Sequence, residues 1–300
     1  MNLYKSLIFI LYLGIFLGSG FRTPAQSRDS ITLYGTLDTV QVIRQRIQHA
    51  NEANAGARVT HISPAVLQAN KTRSLAELLT DHTSIYIKSL GTGALSTASF
   101  RGTSASQTRV NWNGINITPP LSGTFDFSQI PVFFTDNINL YYGSSHVKNG
   151  TGAIGGSVNL FTDTDWNRGV NGRVLAEYGS YNTYTVGGQA NISGNKSASK
   201  TRLYYQHSDN DYTYLNKVLT NTPFREKRQD AAYSQFGIMQ EGYFRVSPYT
   251  RLTAVAWYQK NYRNLPQPLG VVNRSQEDQE ENNFRGYAGL DFSRGIHELH

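Results

Sequence analysis

Asp209 and Asp211, flanking Asn210, are the side chains in this sequence best spaced to share a hard cation such as Ca²⁺. Such a cation needs about 6–8 oxygen ligands, so other loop oxygens would have to complete the shell. The pair is read either as part of such a site or as two solvated acids at the head of a polar loop. Gly150, Gly152, Gly155 and Gly156 form a glycine-rich stretch of the kind that cradles phosphate. No Lys followed by Ser or Thr opens a helix there, and Gly156 leads instead into the β-prone Ser157-Val158-Asn159-Leu160. These glycines therefore read as places where the backbone bends or approaches a neighbour more closely than a Cβ allows. The 7 His are dispersed, and no nucleophile, base and orienting acid fall into a local signature, so no enzyme is expected.

Charge and composition narrow the class. The 300 residues carry a formal charge of +7, but the basic residues are scattered singly, and Phe224-Arg225-Glu226-Lys227-Arg228 is interrupted by Glu226. A nucleic-acid footprint clusters its charge on one face, so no nucleic-acid partner is expected. With 19 Tyr and 27 Gly, only 16% charged residues and a mean hydropathy of −0.43, the chain suits sheets better than helical bundles or disorder. The absence of Cys removes disulfides and thiolate metal sites. Lys5, the apolar run from Leu7 to Leu17 and Thr23-Pro24-Ala25 read as a secretory signal over residues 1–25, with a membrane anchor as the other reading.

The elements that must position these residues fall into zones. Residues 26–60 are polar, with a β-like stretch, Leu37-Asp38-Thr39-Val40-Gln41-Val42, whose alternation allows strand addition to a partner sheet. Residues 61–165 read as a compact mixed α/β domain. Ser63-Pro64 starts a short helix, and Ser74-Leu75-Ala76-Glu77 has capping-box spacing before Leu78-Leu79. Strands are expected near 84–87, 108–112, 137–142 and 156–160.

From 166 to 300 the pattern becomes strict alternation, with strands expected at 171–178, 183–192, 200–208, 232–247, 250–260 and 284–294 and another starting near His297. Tyr184, Val186, Gly188, Ala190 and Ile192 oppose Thr183, Thr185, Gly187, Gln189 and Asn191. Phe236, Ile238, Gly242, Phe244 and Val246 oppose Gln235, Glu241 and Arg245, with Gln240 a polar exception. One face is apolar and one is wet, which fits either a membrane barrel or a soluble sandwich. After the first turn, short connections (193–199, 247–250, 294–296) take turns with long polar ones (209–231, 261–283), the habit of an outer-membrane barrel.

A family resemblance rests on five pieces in order over about 62–162. They are Ser74-Leu75-Ala76-Glu77-Leu78-Leu79; Ile85-Tyr86-Ile87-Lys88 followed by Ser99-Phe100-Arg101-Gly102; Val110-Asn111-Trp112-Asn113-Gly114-Ile115; Ile130-Pro131 followed by Ile138-Asn139-Leu140-Tyr141-Tyr142-Gly143-Ser144; and Gly152-Ala153-Ile154-Gly155-Gly156-Ser157-Val158-Asn159-Leu160. Together they resemble the plug of the TonB-dependent outer-membrane receptors, most like the cobalamin and siderophore group. Two departures, Gly143-Ser144 for the common Gly-Pro and Asn149-Gly150 for the usual Tyr-Gly, leave turn-forming residues in place.

The resemblance implies a small mixed α/β plug followed by the first strands of an antiparallel transmembrane β-barrel, in the outer membrane of a Gram-negative-type bacterium, with the plug and N-terminus facing the periplasm. The family's complete barrel has about 22 strands. At about 9–11 residues per strand the sequence holds only the first of them, so an N-terminal fragment or truncated product is expected. Leu37, Asp38, Thr39, Val40, Gln41 and Val42 resemble the energy-coupling box that pairs with the TonB C-terminal domain. Thr92, Leu95, Ser96, Pro119, Pro120 and Leu121 lie in turns (91–97 and 118–123) that resemble an apical platform for a small nutrient ligand. They offer a neutral surface, or are inert. Arg101 and Gly102 are expected at plug–barrel contact, Arg101 pairing with barrel carboxylates or standing exposed. Calcium at Asp209 and Asp211 is the one cofactor the resemblance suggests, because cobalamin-type receptors order such loops with it. The expected function is TonB-energised import of a cobalamin-like compound or metal chelate through a lipid-embedded barrel. The alternatives are a passive outer-membrane receptor or adhesin, or an exported soluble binding module.

Overall fold

A computed structural model describes residues 58–143, 153–218, 222–268 and 276–292. The expected signal segment, the stretch from Leu37 to Val42, Gly150, Gly152 and the strand near His297 lie outside these residues.

The chain first forms β1 (Arg58–His61), then two short helices, α1 (Pro64–Ala69) and α2 (Leu75–His82). Ser63 caps α1, accepting from Val66 N at 3.3 Å, with Pro64 placed where no N–H is needed. At α2 the capping box is closed: Glu77 Oε2 accepts from Ser74 N at 2.9 Å, and Ser74 Oγ accepts from Glu77 N at 3.3 Å. Eight residues do not hold a helix alone. Buried Leu75, Ala76, Leu78 and Leu79 hold it against the core.

Strands β2 (Tyr86–Ser89) and β3 (Ser96–Ser99) pair as a hairpin, followed by β4 (Thr108–Trp112), β5 (Ile115–Asn116), β6 (Asn137–Tyr142) and β7 (Gly156–Phe161). The main sheet runs β1-β6-β7-β4-β5, with β4 and β7 parallel at its centre. Central parallel strands are covered on both faces: Val110, Trp112, Val158 and Leu160 are buried on one, and Asn111, Ser157 and Asn159 on the other. The Asn113-Gly114 turn joins β4 to β5 with φ +48° and +86°, the positive values a tight hairpin demands. At Gly156 the need is closeness: a Cβ there would sit 2.5 Å from the Tyr141 carbonyl oxygen.

The second part is an antiparallel meander. Its long strands are β8 (Gly169–Gly179), β9 (Thr183–Ser193), β10 (Ser197–Ser208), β13 (Tyr233–Ser247), β14 (Thr250–Asn264) and β15 (Asp278–Phe292), in the order β15-β14-β13-β10-β9-β8. A separate hairpin, β11 (Thr213–Asn216) with β12 (Phe224–Lys227), occupies the long connection between β10 and β13. The apolar face of this sheet points outward: Val174, Ile192, Phe284 and Leu290 are 60–81% exposed. The polar face points in, where Arg202, Glu241 and Gln259 are at most 1% exposed. A soluble sandwich would have these faces reversed, so the sheet is barrel wall. Tyr204, Met239, Val255 and Trp257 of the wall share one core with the plug residues, so the α/β part is not a module with a core of its own.

Three boundaries differ from expectation. β14 runs on to Asn264 and β15 begins at Asp278, so the second long connection shrinks to 265–277. In that stretch both faces are polar, Lys260 to Asn264 against Asp278 to Asn282, and only backbone pairing reveals the strands. The hairpin β11–β12 was hidden for the same reason. The inner sheet also starts at Arg58, because β1 pairs with β6 from Arg58↔Tyr142 onward.

Candidate functional site

The seam between plug and wall is where charged side chains meet. It is built on a stretch of two 3₁₀ turns, Phe127–Gln129 and Val132–Phe134, with an aspartate at either end. Phe127, Ile130, Val132, Phe133 and Phe134 bury the stretch, which fixes where Asp126 and Asp136 emerge.

Asp126 is the junction nearer the long-loop rim. Its Oδ1 accepts from Ser96 N (3.0 Å), Ser128 N (3.0 Å) and Ser128 Oγ (2.7 Å), while Oδ2 receives Arg263 Nη1 at 2.7 Å. Arg263, near the end of β14, is held in turn by Gln279 Oε1 through Nε (3.0 Å) and Nη2 (2.8 Å). One carboxylate thus ties the β2–β3 hairpin, a plug turn and the wall together.

Asp136 lies nearer the short-turn rim. Its Oδ2 accepts from Asp163 N (2.9 Å) and Lys200 Nζ (3.1 Å) and pairs with Arg202. Arg202 is fully buried, donates Nη1 to Phe133 O at 3.2 Å, and lies 3.4 Å from Glu241, itself fully buried and accepting from Tyr243 OH at 2.7 Å. Lys71 donates to Val132 O at 3.4 Å and to Thr135 O. Burial pushes the Asp136 carboxyl up, but Arg202, Lys200 and the Asp163 N–H outweigh it and hold the group well below the usual carboxylate range. Burial lowers Lys71 to about 8, opposed by Asp136 and assisted by Arg202.

Between these junctions amides, a tyrosine hydroxyl and one carboxylate stitch the seam. Gln235 Nε2 donates to Ser128 O (2.8 Å), Gln259 Nε2 to Gln129 O (3.0 Å), Gln129 Nε2 to Glu281 Oε2 (2.7 Å) and Tyr204 OH to Thr72 O (3.0 Å). Each such bond contributes about 1 kcal/mol net, and leaving one buried partner unpaired costs more. Trp257 of the wall meets Trp112 and Phe134 of the plug with ring centroids 5.2 Å apart in both pairs. Gly237 makes room for this contact, since a Cβ there would lie 2.6 Å from Phe134 Cζ.

The residues expected at the site are distributed unevenly. Thr92, Leu95, Pro120 and Leu121 are exposed and Pro119 half-buried. Ser96 is buried on β3 with its N–H on Asp126 and its Oγ on Ser89 Oγ at 2.9 Å, bracing the hairpin. Thr92 is gripped from outside, its carbonyl accepting from Asn210 Nδ2 at 3.0 Å. Arg101 and Gly102 form an exposed turn after β3, with φ +50° and +78°, and Arg101 makes no ion pair among the described residues, the exposed alternative of its two readings. Asp209 accepts from His207 Nε2 (3.0 Å) and Asn182 Nδ2 (3.2 Å), which hold its carboxyl below the ordinary value. Asp211 pairs with Lys227 at 2.6 Å. The two carboxylates therefore serve separate partners, and no group of three or more potential metal ligands gathers among the described residues. Asp126, Asp136, Arg202, Glu241 and Arg263 were not anticipated. For Arg202 and Glu241 the signal available was a charge at an inward position of a wall strand.

Residues 51–157 match the TonB-dependent Receptor Plug Domain family. The chain is similar to the Vitamin B12 transporter BtuB of Photobacterium profundum, 32% identical over 135 residues that cover 45% of this chain and 22% of that protein. It is similar to BtuB of Vibrio cholerae at 32% over 126 residues, or 42% and 20% of the two chains. The chain thus spans about a fifth of these relatives. Among solved structures, the ferripyoverdine receptor of Pseudomonas aeruginosa superposes with TM-score 0.59 at 16% identity, covering 78% of this chain and 31% of that one. The siderophore receptor PiuA of Acinetobacter baumannii gives 0.54 at 20%, covering 70% and 27%. At such identities the likeness is one of fold, a plug inside a receptor barrel. The plug-domain match over residues 51–157, the BtuB relatives and this shared fold together make the chain similar to the TonB-dependent receptors.

Proposed function

We propose that the chain provides the plug and first wall strands of a TonB-energised importer that brings a scarce nutrient, a cobalamin-like compound or a metal chelate, across the outer membrane. The observation that carries this reading is the seam itself. A plug keyed into its wall by buried ion pairs such as Asp136–Arg202 leaves no open path along that side. Passage then requires work on the plug, which a protein in a membrane without its own energy source must receive from outside. In this reading the segment from Leu37 to Val42 adds as a strand to the TonB C-terminal domain, and Thr92, Leu95 and Pro119 to Leu121 meet the ligand. The wall's outward face meets lipid. The chain carries out transport and no catalysis, and the similarity to B12 transporters favours a corrinoid.

Uptake of cyanocobalamin by cells carrying the full-length receptor, with and without TonB, tests this directly. Val40→Pro removes an N–H and blocks strand addition. It is expected to abolish uptake and leave surface binding intact. Uptake that persists without TonB would sink the energised reading, and binding with no uptake under any condition would make the protein a passive receptor.

A further inference from the structure

Asn113 and Gly114 form the tip of the β4–β5 hairpin, and an Asn-Gly bond is the peptide linkage most prone to spontaneous deamidation. Glycine has no Cβ to shield its N–H, so that nitrogen can attack the neighbouring side-chain amide. Gly114 is exposed and Asn113 half-buried, so water reaches the pair. The reaction still has a geometric demand. The Gly114 nitrogen must close on Asn113 Cγ, which requires the side chain and the peptide beside it to turn toward each other.

The structure holds that side chain at both ends. Asn113 Oδ1 accepts from Thr162 N at 2.9 Å, and Asn113 Nδ2 donates to Thr162 Oγ1 at 2.9 Å. The main chain is held as well: Asn113 N donates to Leu160 O at 2.8 Å, which carries the β4–β7 pairing one residue past Trp112. The positive φ values of Asn113 and Gly114, +48° and +86°, set the backbone of the turn. Thr162 directly follows β7, so the amide is clamped by the segment that leads from plug to wall.

We propose that Asn113 is a deamidation site kept closed by Thr162, and that it reacts when the β4–β5 turn leaves this clamp. The inference goes beyond the import reading and does not rest on it. In the open turn the Gly114 nitrogen, having given its proton to a base in solution, attacks Asn113 Cγ. The Cγ–Nδ2 bond breaks, the departing nitrogen takes a proton from water and leaves as ammonia, and a five-membered succinimide remains. Water then opens the ring at one of its two carbonyls, giving either aspartate or isoaspartate. Aspartate fits the clamp, with Thr162 Oγ1 donating where it had accepted. Isoaspartate does not, because its extra main-chain carbon breaks the register that sets Asn113 N on Leu160 O. The product therefore accumulates with the time the turn has stood open.

Where opening and closing outrun the chemistry, the folded-state rate is the free-chain rate multiplied by the open fraction. The test incubates the purified full-length receptor at mildly alkaline pH, folded in detergent and unfolded in urea. Peptide mass spectrometry follows the conversion of each amide to an acid. Asn171-Gly172, within β8, supplies a second Asn-Gly bond as an internal reference. In urea both sites should react at similar rates. In the folded protein Asn113 should react at least about tenfold more slowly than in urea, as expected for a site that reacts only through local opening. Thr162→Val removes the hydroxyl that accepts from Asn113 Nδ2, and should speed the folded reaction about fivefold, the equivalent of one neutral hydrogen bond. Thr162→Ser keeps a hydroxyl and should react like the wild type. Neither variant should change the rate in urea or the folded rate at Asn171. Equal rates at Asn113 in the folded and unfolded protein overturn the proposal. So does a Thr162→Val rate no higher than that of Thr162→Ser, or a rise that Asn171 shares equally.

Discussion

Arg202 of the wall and Asp136 of the plug form an ion pair in which the guanidinium has no exposure to solvent and the carboxylate side chain is 23% exposed. The arginine also meets Glu241, so it serves two carboxylates from one buried position. Breaking such a pair from one side leaves an uncompensated charge in the seam. Asp136→Asn is expected to destabilise the plug by about 3 kcal/mol, and Asp136→Asn with Arg202→Met by less than either change alone. Urea unfolding of the full-length receptor, followed by plug proteolysis, measures this. Because the Asp136 pKa is depressed on folding, its contribution is complete above the ordinary carboxylate value of 3.8 and disappears as pH falls below it.

Lys71 has a dependence of the same sign in a higher pH window, but as a penalty relieved and not a contribution gained. Its folded pKa of about 8 lies under the ordinary 10.5, so between those values the unfolded chain binds more protons. Stability should rise as pH climbs from 8 to 10.5, and the penalty should be complete below 8. Lys71→Met is expected to raise the unfolding midpoint at pH 7 and to flatten the curve above pH 8. A Met variant with an unaltered alkaline slope would assign that slope to another group.

Gly237 and Gly289 are both inward-facing wall glycines, with different surroundings. A Cβ at Gly237 enters the Phe134 ring edge, whereas one at Gly289 meets nothing within 4 Å. Gly237→Ala should cost about 1–3 kcal/mol by overpacking, and Gly289→Ala close to nothing. Equal costs in the unfolding assay would mean that the plug can shift away from Phe134 freely.

The wall faces can be separated by arginine. Ile238→Arg and Ala288→Arg put a charge on the outward face, where near the bilayer midplane each should cost about 2–4 kcal/mol. Gln189→Arg, on the inward face, should cost much less. Folding titrations into lipid vesicles make the comparison, and equal losses on both faces would contradict a lipid-facing apolar side.

The sequence displayed the fold wherever one physical signal dominated. Ser74 and Glu77 announced α2 because a capping box is local, and Asn113-Gly114 announced the β4–β5 turn because few other residues accept those φ values. Period-two alternation in β9 and β13 exposed the wall, though it could not say which face looked inward. That depends on what surrounds the sheet, a property of solvent and partner and not of spacing. The seam was less legible. Asp126 and Asp136 lie outside any regular repeat, and their meeting with Arg263 and Arg202 joins residues 137 and 66 positions apart. Arg101, read by family likeness as a seam residue, stands in a turn, while wall cations that no motif marked make the buried pairs.

The inward polar face has a consequence for adhesion. Outside the apolar patch formed by Tyr204, Met239, Val255 and Trp257 with Leu175 and Tyr287, the inward face of the wall carries amides, hydroxyls and charges such as Gln206, Gln235, Gln259 and Glu241. Such a surface wets readily. Peeling the plug from that polar part would replace protein hydrogen bonds with water and leave the patch around Trp257 as the oily area bared. An oily lining would have made the first separation the last. On that polar part the wall is a wettable surface, one that water can enter.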